Sequence, residues 1–475
     1  MGLMRFRIAT ENLLPSEGVT RADFVTFDGR VIRAKSRLDG DLLECIRSQT
    51  DSSKLRILCN LGDRQTIVCT TSLPEQQTPY DLEVELARGE LSRLRNFYHL
   101  WTGAGLKSTP VLDDLLEKAH KAFRLGIFSG SDPNACLASL RLTQEAIDLL
   151  THLYTKQRIT YRQQKTQRFP MMVGCGLSQP PIHEEHFVEA FNSILIKTRW
   201  CDLEPTDGNY EWKNLDRLVD WAGERRLFTM GGPLLNLSTD NFPDWISPWK
   251  SDPVNLQSFT SDFVETVVSR YVGRIRHWEV VCGPNRGGAS ALSEEQRLNL
   301  VVRAIEAAQQ VDEQIQISLR VTQPWGEYLS TTENRLPPIQ FIDTLRRSGA
   351  RISEINLDIR FGTGSLHSLH RDMLSVSQLL DHWSILQTPL NVMAALPIAP
   401  AETDRISRVQ WQMQQMEDFL LMCLSKERVT GFYCLNWADR RVMEEPLVDT
   451  DNSLHPVVSN LTALEQTHWP SSMVR

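Results

Sequence analysis

The sequence predicts an α/β protein whose main part is a (β/α)8, or TIM, barrel, preceded by a small antiparallel β unit and a helical segment. Two observations predict the barrel: short apolar runs recur after residue 169, and segments of helical period separate them. Such alternation over roughly 300 residues is typical of a closed parallel barrel. A third observation sets the start of the chain apart, because its short runs alternate with period two until a helical period begins near residue 79.

These changes of period divide the chain into three predicted parts. They are an antiparallel β domain over residues 1–78, a helical segment over 79–168 and a barrel over 169–475. Asp28-Gly29 lies between two alternating runs and is typical of a hairpin turn. Asp132-Pro133 is typical of a helix start, since proline is favoured in the first turn. We expect the apolar helix faces to pack on the barrel, and the N-terminal region could also bind a protein partner.

The barrel prediction rests on eight apolar runs that have the length of buried strands. They are MMVGC (171–175), SILIK (193–197), LFTMGG (227–232), HWEVV (277–281), IQISLRV (315–321), ISEINLDI (352–359), LNVMAAL (390–396) and GFYCLNW (431–437). Helices are predicted between them, among others over 214–225, 254–271, 293–309 and 407–424. In this fold the functional residues follow the C-terminal ends of the strands, so the residues after each run are the first candidates for a site.

Composition excludes several classes of partner. The net charge of −8 and the pI near 5.8 argue against nucleic acid as a ligand, which needs a concentrated basic face. No apolar run is long enough for a membrane span, and the first residues lack the apolar core of a secretory signal. The nine cysteines are scattered without a CxxC pair, which favours free thiols in a reducing compartment. We therefore expect a cytoplasmic protein that has no membrane partner.

No motif points to a cofactor or a metal. The chain has no P-loop, and HEEH (183–186) and HSLH (367–370) each space two histidines three apart without an evident third ligand. We predict that the protein uses neither a cofactor nor a metal.

One stretch resembles a known family. RWCDLEPTDGNYEWKNLDRLVDWA (199–222) is similar to the segment after strand two of the family 10 glycoside hydrolases, the xylanase family, with Arg199-Trp200 and Leu203-Glu204-Pro205 in matching places. Further likenesses follow in order over about 169–470, in GGPLLNLSTDNFPDWI (231–246), RYVGRIRHWEVV (270–281), SGARISEINLDIR (348–360), TPLNVMAALPI (388–398) and GFYCLNWADRR (431–441). The resemblance implies a barrel whose ligand is a carbohydrate or oligosaccharide with β-linked sugars.

The resemblance also implies that the family's catalytic acids are replaced. A retaining glycosidase uses two carboxyl groups about 5 to 5.5 Å apart, one as acid and one as nucleophile. In this family they stand after strands four and seven, where this chain has Gly283, preceded by Cys282, and Ala395. In a shifted alignment Asn285 and Arg286 take the places of the strand-four Asn and Glu. Supporting positions differ as well, and these are Lys197, Pro233 and Arg360.

Two displaced carboxylates are candidate catalytic residues. Glu279 shares the inward face of its strand with Gly283, and Glu327 follows strand five in QPWGEY. Their structural alternatives are a buried, hydrogen-bonded barrel acid for Glu279 and a solvated loop acid for Glu327. If they form a catalytic pair, both should face one cavity. The candidate substrate-binding residues are Arg199, Trp200, Asn285, Trp325, Arg360, Trp437 and Asp439.

Three hypotheses for the function remain open. The first is a glycosidase of the xylanase type with relocated acids, and the second is a degenerate barrel that binds a sugar without cleaving it. The third is a scaffold whose N-terminal region docks a partner. Loss of a general acid alone typically costs about 10²–10⁴-fold in rate, so the substituted positions weigh against the family's usual chemistry.

Overall fold

Two small sheets form the start of the chain. The computed structural model describes residues 1–468 except 63, 129, 131, 167–168, 240, 363, 400–404 and 443, and leaves out the side chain of residue 467. One sheet has the strand order β4-β5-β1-β8 and the other β3-β2-β6-β7. The elements are β1 (Gly2–Arg7), α1 (Ser16–Thr20), β2 (Asp23–Val25), β3 (Val31–Ile32), β4 (Ala34–Asp39), β5 (Leu42–Arg47), β6 (Lys54–Asn60), β7 (Gln65–Cys69) and β8 (Tyr80–Asp81).

The predicted hairpin at Asp28-Gly29 is confirmed. β2 and β3 are antiparallel, with Val25 opposite Val31. Gly29 has φ +83°, a conformation that a residue without Cβ adopts at no steric cost. Along β1, the buried residues alternate with exposed ones, so that Met4 and Phe6 pack into the core between the two sheets.

Three helices follow, and their bounds agree with the predicted helical segment. They are α2 (Leu82–Gly103), α3 (Pro110–Phe128) and α4 (Pro133–Lys165). The Asp132 side chain accepts a hydrogen bond from Asn134 N at 3.0 Å, which satisfies a free donor at the start of α4. Trp101 of α2 stacks on Tyr154 of α4 with ring centroids 4.0 Å apart, so the helices share an apolar core.

The eight predicted barrel strands are all present. They are β9 (Met172–Leu177), β10 (Ser193–Ile196), β11 (Phe228–Gly231), β13 (His277–Cys282), β14 (Gln316–Thr322), β15 (Glu354–Ile359), β16 (Leu390–Ala394) and β17 (Val429–Cys434), with the short β12 (Leu235–Asn236) beside β13. Every pairing in this sheet is parallel. The strands pair in chain order, and β17 returns to β9 while β11 pairs with β13, so the barrel is closed.

Helices surround the barrel. They are α5 (Glu184–Ala190), α6 (Trp200–Leu203), α7 (Lys213–Glu224), α8 (Pro253–Arg270), α9 (Glu294–Val311), α10 (Pro338–Arg347), α11 (Met373–Trp383), α12 (Arg405–Ser425) and α13 (Val457–His468), with 3₁₀ turns over Asp244–Trp249, Glu327–Ser330 and Ser384–Leu386. Among the described residues, no helix combines the length and the apolar character that crossing a bilayer would require.

The N-terminal elements contact the barrel directly. Ile67 N, on β7, donates a hydrogen bond to His370 O at 2.8 Å, and Arg93 Nη1, on α2, donates to Ser375 Oγ at 2.9 Å. Lys426 Nζ, after α12, donates to Tyr154 OH at 3.2 Å. These contacts cover one side of the barrel and bring the N-terminal sheet next to the loops after β14 and β15.

Candidate functional site

A cavity of about 230 Å³ opens at the C-terminal ends of the barrel strands, and we call it the mouth cavity. Residues from or just after six barrel strands reach it, and the β12 loop and the segment after β17 close it. Its polar and charged lining consists of Lys197, Arg199, Asn236, Ser238, Thr239, Asn241, Arg320, Asp358, Arg360, Ser365, His367, Arg441 and Glu444. The mouth cavity therefore lies where barrel proteins place their ligands.

The Arg360 guanidinium binds both carboxylates in the wall of the mouth cavity. Its Nε and Nη2 donate to the two oxygens of Asp358 at 2.7 Å each, and its Nη1 donates to Glu444 Oε1. Burial raises the pKa of Glu444, but the Arg360 guanidinium outweighs it and holds that pKa below the ordinary value. Both acids are thus hydrogen-bonded partners of one cation, and the lowered pKa of Glu444 disfavours its protonated form.

Glu279 lies beneath the mouth cavity in a buried network. Its side chain is fully buried, accepting from Arg320 Nε at 3.0 Å and from Asn356 Nδ2 at 2.6 Å. Burial raises the pKa of Glu279, and Arg320 opposes that rise. The residue does not line the mouth cavity. Its position agrees with the structural alternative of a hydrogen-bonded barrel acid.

Glu327 lies on the side of the barrel that faces the N-terminal sheets. Its Oε1 accepts from Arg371 Nη2 at 3.1 Å, and the Arg371 guanidinium also lies 4.8 Å from the centre of the Trp325 ring. Glu327 is buried and does not line the mouth cavity, so it is not a solvated loop acid. Glu279 and Glu327 therefore do not both line the mouth cavity, although a catalytic pair would have to face one cavity. The loop after β14 turns outward, toward the sheet of β2 and β3.

The predicted ligand-binding residues separate into several places. Arg199, Trp200 and Arg360 line the mouth cavity. Trp325 lines a second cavity of about 710 Å³ between the N-terminal sheet and the barrel. Trp437 and Asp439 line a third cavity, of about 350 Å³, beside Ile182. The expected arrangement of all these side chains around one mouth is therefore not observed.

Two of these residues have partners that indicate a structural role. Trp437 Nε1 donates to Ile182 O at 3.0 Å, and its ring lies edge-on to Phe187 with centroids 5.2 Å apart. Asn285 Nδ2 donates to Thr322 O at 2.8 Å, and its oxygen accepts from Thr322 N at 3.2 Å. Both side chains are buried, so they hold loops in place.

Trp200 reaches the mouth cavity only with part of its ring. One face stacks on Phe263 with centroids 4.6 Å apart, and Nε1 donates to Glu204 Oε2 at 2.8 Å. The side chain is 2% exposed. Trp200 therefore shapes the wall of the mouth cavity but offers no open face on which a sugar ring could stack.

Sequence reasoning missed several lining residues. Asn236, Ser238 and Asn241 come from the β12 loop, and Arg441 and Glu444 come from the segment after β17. The available signals were the family likenesses over 231–246 and 431–441, which contain all of these residues except Glu444. A third signal was Lys197, which stands at a changed position of the resemblance and also lines the mouth cavity.

Gly283 occupies a position where a side chain would clash with Ser238. Its φ is +67°, and a Cβ built there would lie 1.6 Å from Ser238 Oγ. The backbone conformation and the neighbouring serine both disfavour a larger residue. An acid at this position would require movement of the β12 loop.

We expect Gly283→Ala to lower the free energy of unfolding by about 2–4 kcal/mol, because strain in the left-handed region adds to overpacking against Ser238. Gly208→Ala is the matched control, since Gly208 has φ +71° and nothing lies within 4 Å of an added Cβ. Its expected cost is about 1–2 kcal/mol from backbone strain alone. Urea unfolding measures both, and Ser238→Gly should recover part of the loss at 283. Equal costs for the two alanines would contradict the close approach of Ser238.

The described residues contain no cluster of three or more His, Cys, Asp or Glu side chains that could hold a metal ion. All nine cysteines are free thiols, and burial raises the pKa of Cys282, which lines the mouth cavity, to about 12. The thiol is therefore protonated near neutral pH and is not a nucleophile.

Comparison with known proteins identifies the barrel. Residues 160–443 match the family model described as glycosyl hydrolase family 10. The chain is 31% identical over 122 residues to endo-1,4-beta-xylanase C of Paenibacillus barcinonensis, an alignment that covers 23% of this chain and 11% of that protein. It is 23% identical over 264 residues to an endo-1,4-beta-xylanase of Agaricus bisporus, covering 53% of this chain and 73% of that protein.

The crystal structure of xylanase 10B from Thermotoga petrophila RKU-1 in complex with xylobiose superposes with a TM-score of 0.48 at 15% identity, over 64% of this chain and 96% of that chain. A family 10 structure from Paenibacillus barcinonensis superposes with a TM-score of 0.49 at 16% identity, over 67% of this chain and 98% of that chain.

Proposed function

The chain belongs to glycosyl hydrolase family 10, and on that basis we propose that its mouth cavity binds a β-linked oligosaccharide of the xylan type without cleaving it. The names of the relatives, which are endo-1,4-beta-xylanases, support the choice of sugar. The observation that carries the proposal is the state of the acids. Both carboxylates that line the mouth cavity bind Arg360, so neither serves as a free acid or nucleophile.

The neutral polar groups of the mouth cavity suit hydroxyl ligands. Asn236, Ser238, Thr239 and Asn241 line one wall, and each can donate or accept a hydrogen bond. Among the described residues, the Asn241 side-chain amide has no hydrogen-bond partner, whereas Asn236 Oδ1 accepts from Ser238 N at 2.9 Å. Asn241 is therefore free to bind a sugar, and Asn236 holds the loop that carries it.

Two further proposals support this reading. Lys197 and Arg360, which stand at supporting positions of the family resemblance, place charge where the cavity meets its ligand. The nine free thiols favour a reducing, cytoplasmic setting, in which the ligand would be a small oligosaccharide. Glu279 and Glu327 are each ion-paired with an arginine. Substituting each of them tests whether the protein cleaves a sugar with a relocated acid.

We expect wild-type protein to bind xylotriose and Asn241→Ala to bind it about 3–10-fold more weakly, because one ligand hydrogen bond is lost. Titration calorimetry measures the affinity. Asn134→Ala is the control, since Asn134 is exposed at the start of α4, far from the mouth in sequence and fold. The absence of any heat with xylotriose, xylohexaose or cello-oligosaccharides would reject the proposed function. Unchanged affinity in Asn241→Ala would place the ligand elsewhere.

A further inference from the structure

Lys197 carries an ammonium group that the protein leaves without a hydrogen bond. It follows β10 and lines the mouth cavity, and its side chain is 12% exposed. Nζ lies 3.9 Å from Asp439 Oδ2, which is its one ion pair with the described residues, and it makes no hydrogen bond with them. An ammonium has three donors. A ligand in the mouth cavity can therefore satisfy donors that the fold does not.

The surroundings of Lys197 are built to hold its stem. A Cβ at Gly176 would lie 3.0 Å from Lys197 Cε, so a larger residue on β9 would crowd the lysine. Burial lowers the pKa of Lys197, and Asp439 only partly opposes this. Asp439 itself accepts hydrogen bonds from Arg441 N at 3.0 Å and from Arg441 Nε at 3.2 Å, so its charge is shared. An anion beside Lys197 would offset the cost of burying the ammonium.

The other cations that line the mouth cavity already have partners. Arg320 binds Glu279, and Arg360 binds Asp358 and Glu444. Arg199 and Arg441 both approach Asp202, at 3.6 and 3.0 Å. Lys197 is therefore the most weakly paired cation that lines the mouth cavity. Its positive charge is the one most available to a ligand there.

A second weakly paired cation lies near the edge of the mouth cavity. The Arg286 side chain has neither a hydrogen bond nor an ion pair with the described residues, and its Nε is buried. A Cβ at Gly288 would lie 3.4 Å from Arg286 Nη1 and 3.7 Å from Ser238 O, which places the guanidinium close to a residue of the cavity wall. Burial lowers the pKa of Arg286, as do the charges of Arg21 and Arg360. The Arg286 guanidinium therefore places a positive charge at this edge of the mouth cavity.

We propose that the oligosaccharide in the mouth cavity carries a carboxylate, as a uronic acid does, and that the Lys197 ammonium binds this carboxylate while Arg286 attracts it from the edge. The inference rests on the proposed function, since it specifies the ligand of the same cavity. A carboxylate fits better than a phosphate, because one weakly paired ammonium lines the cavity and the arginines that line it already bind carboxylates of the protein.

Titration calorimetry with three probes tests the inference. The probes are xylotriose, xylotriose substituted with glucuronic acid, and free glucuronate, each titrated into wild type, Lys197→Met, Lys197→Arg and Lys121→Met. Lys121 is an exposed lysine of α3 and serves as the control. We expect wild type to bind the acidic tetrasaccharide about 10-fold more tightly than xylotriose, as for one charged hydrogen bond. The preference should shrink with added salt, vanish in Lys197→Met and persist in Lys197→Arg and Lys121→Met.

The outcomes separate this inference from the proposed function. Equal affinity of wild type for acidic and neutral xylotriose, or a preference that survives Lys197→Met, overturns the inference and leaves sugar binding intact. Binding of glucuronate without binding of xylotriose keeps the carboxylate site and rejects the proposed function. The absence of binding heat with all three probes rejects both the inference and the proposed function. Urea unfolding of each variant shows that a lost preference does not reflect a lost fold.

Discussion

Replacing Arg360 by Met is expected to lower the free energy of unfolding by about 3–5 kcal/mol, because it leaves two carboxylates in the barrel mouth without their cation. Asp358 is almost fully buried and binds Arg360 through both oxygens at 2.7 Å, and Glu444 binds the third nitrogen. A methionine has similar length but provides no charge or donor. Urea unfolding at neutral pH measures the loss.

The control for this prediction is Arg347→Met. Arg347 pairs with Asp343 at 2.7 Å, but its side chain is 80% exposed, so the expected change is within about 1 kcal/mol. A loss at Arg360 no larger than that of the control would contradict the ion-pair account. Asp358→Leu and Glu444→Leu, added to Arg360→Met, should recover part of the stability, since the uncompensated charges are then removed.

The pH dependence of the same variant provides an independent measurement. In the wild type the pKa of Glu444 is lowered, because Arg360 outweighs burial, so its stabilisation is present above the ordinary value of 4.5 and is lost as the pH falls through the lowered pKa. Without Arg360, burial is opposed only by a backbone hydrogen bond and by the charge of Lys197, so the pKa of Glu444 rises. The variant then gains relative stability by binding a proton as the pH falls. The difference in free energy of unfolding between wild type and Arg360→Met should therefore become smaller as the pH falls from about 7 to about 4.5.

The sequence predicted the fold well because the barrel's signals are local. Each barrel strand is a short run of mostly buried residues. In β13, for example, His277 is partly buried and every residue from Trp278 to Cys282 is buried. Asp132-Pro133 marks the start of α4 through its own backbone chemistry. Such features need no knowledge of distant residues, which is why strands and helices fell close to their predicted bounds.

The site was less predictable because loop directions depend on distant contacts. Trp325 and Glu327 follow β14 as expected, but Arg371, which comes after β15, draws both toward the N-terminal sheet. Trp437 follows β17, yet its ring turns away from the mouth cavity to pack on Phe187 of α5. Residues beyond a strand end no longer obey its alternation, so sequence alone could not assign their direction.

The resemblance was informative in a different way. It drew attention to Gly283, where the fold leaves no space for a side chain beside Ser238. It also identified Lys197 and Arg360 as changed positions, and both line the mouth cavity. Trp325 and Trp437, by contrast, lie outside the mouth cavity.

Purified protein is expected to release no measurable aryl group from aryl β-xylobioside or aryl β-cellobioside. A retaining mechanism needs a protonated acid and an ionised nucleophile about 5 to 5.5 Å apart. Asp358 and Glu444 both bind Arg360, and the pKa of Glu444 is lowered, so neither carboxyl of the cavity wall is free to approach a substrate as the acid or the nucleophile. Loss of a general acid costs about 10²–10⁴-fold, and loss of the nucleophile closes the covalent route altogether.

The experiment compares wild type with Glu279→Gln and Glu327→Gln under conditions in which an active family 10 xylanase gives a strong signal. All three proteins should remain at the background rate, because Glu279 binds Arg320 beneath the cavity and Glu327 binds Arg371 outside it. Turnover by wild type that either substitution abolishes, in a protein that still unfolds cooperatively, would identify a relocated acid and refute binding without cleavage. Turnover that survives both would assign the acids to other residues. Binding of xylotriose with no turnover would support a barrel that binds its sugar without cleaving it.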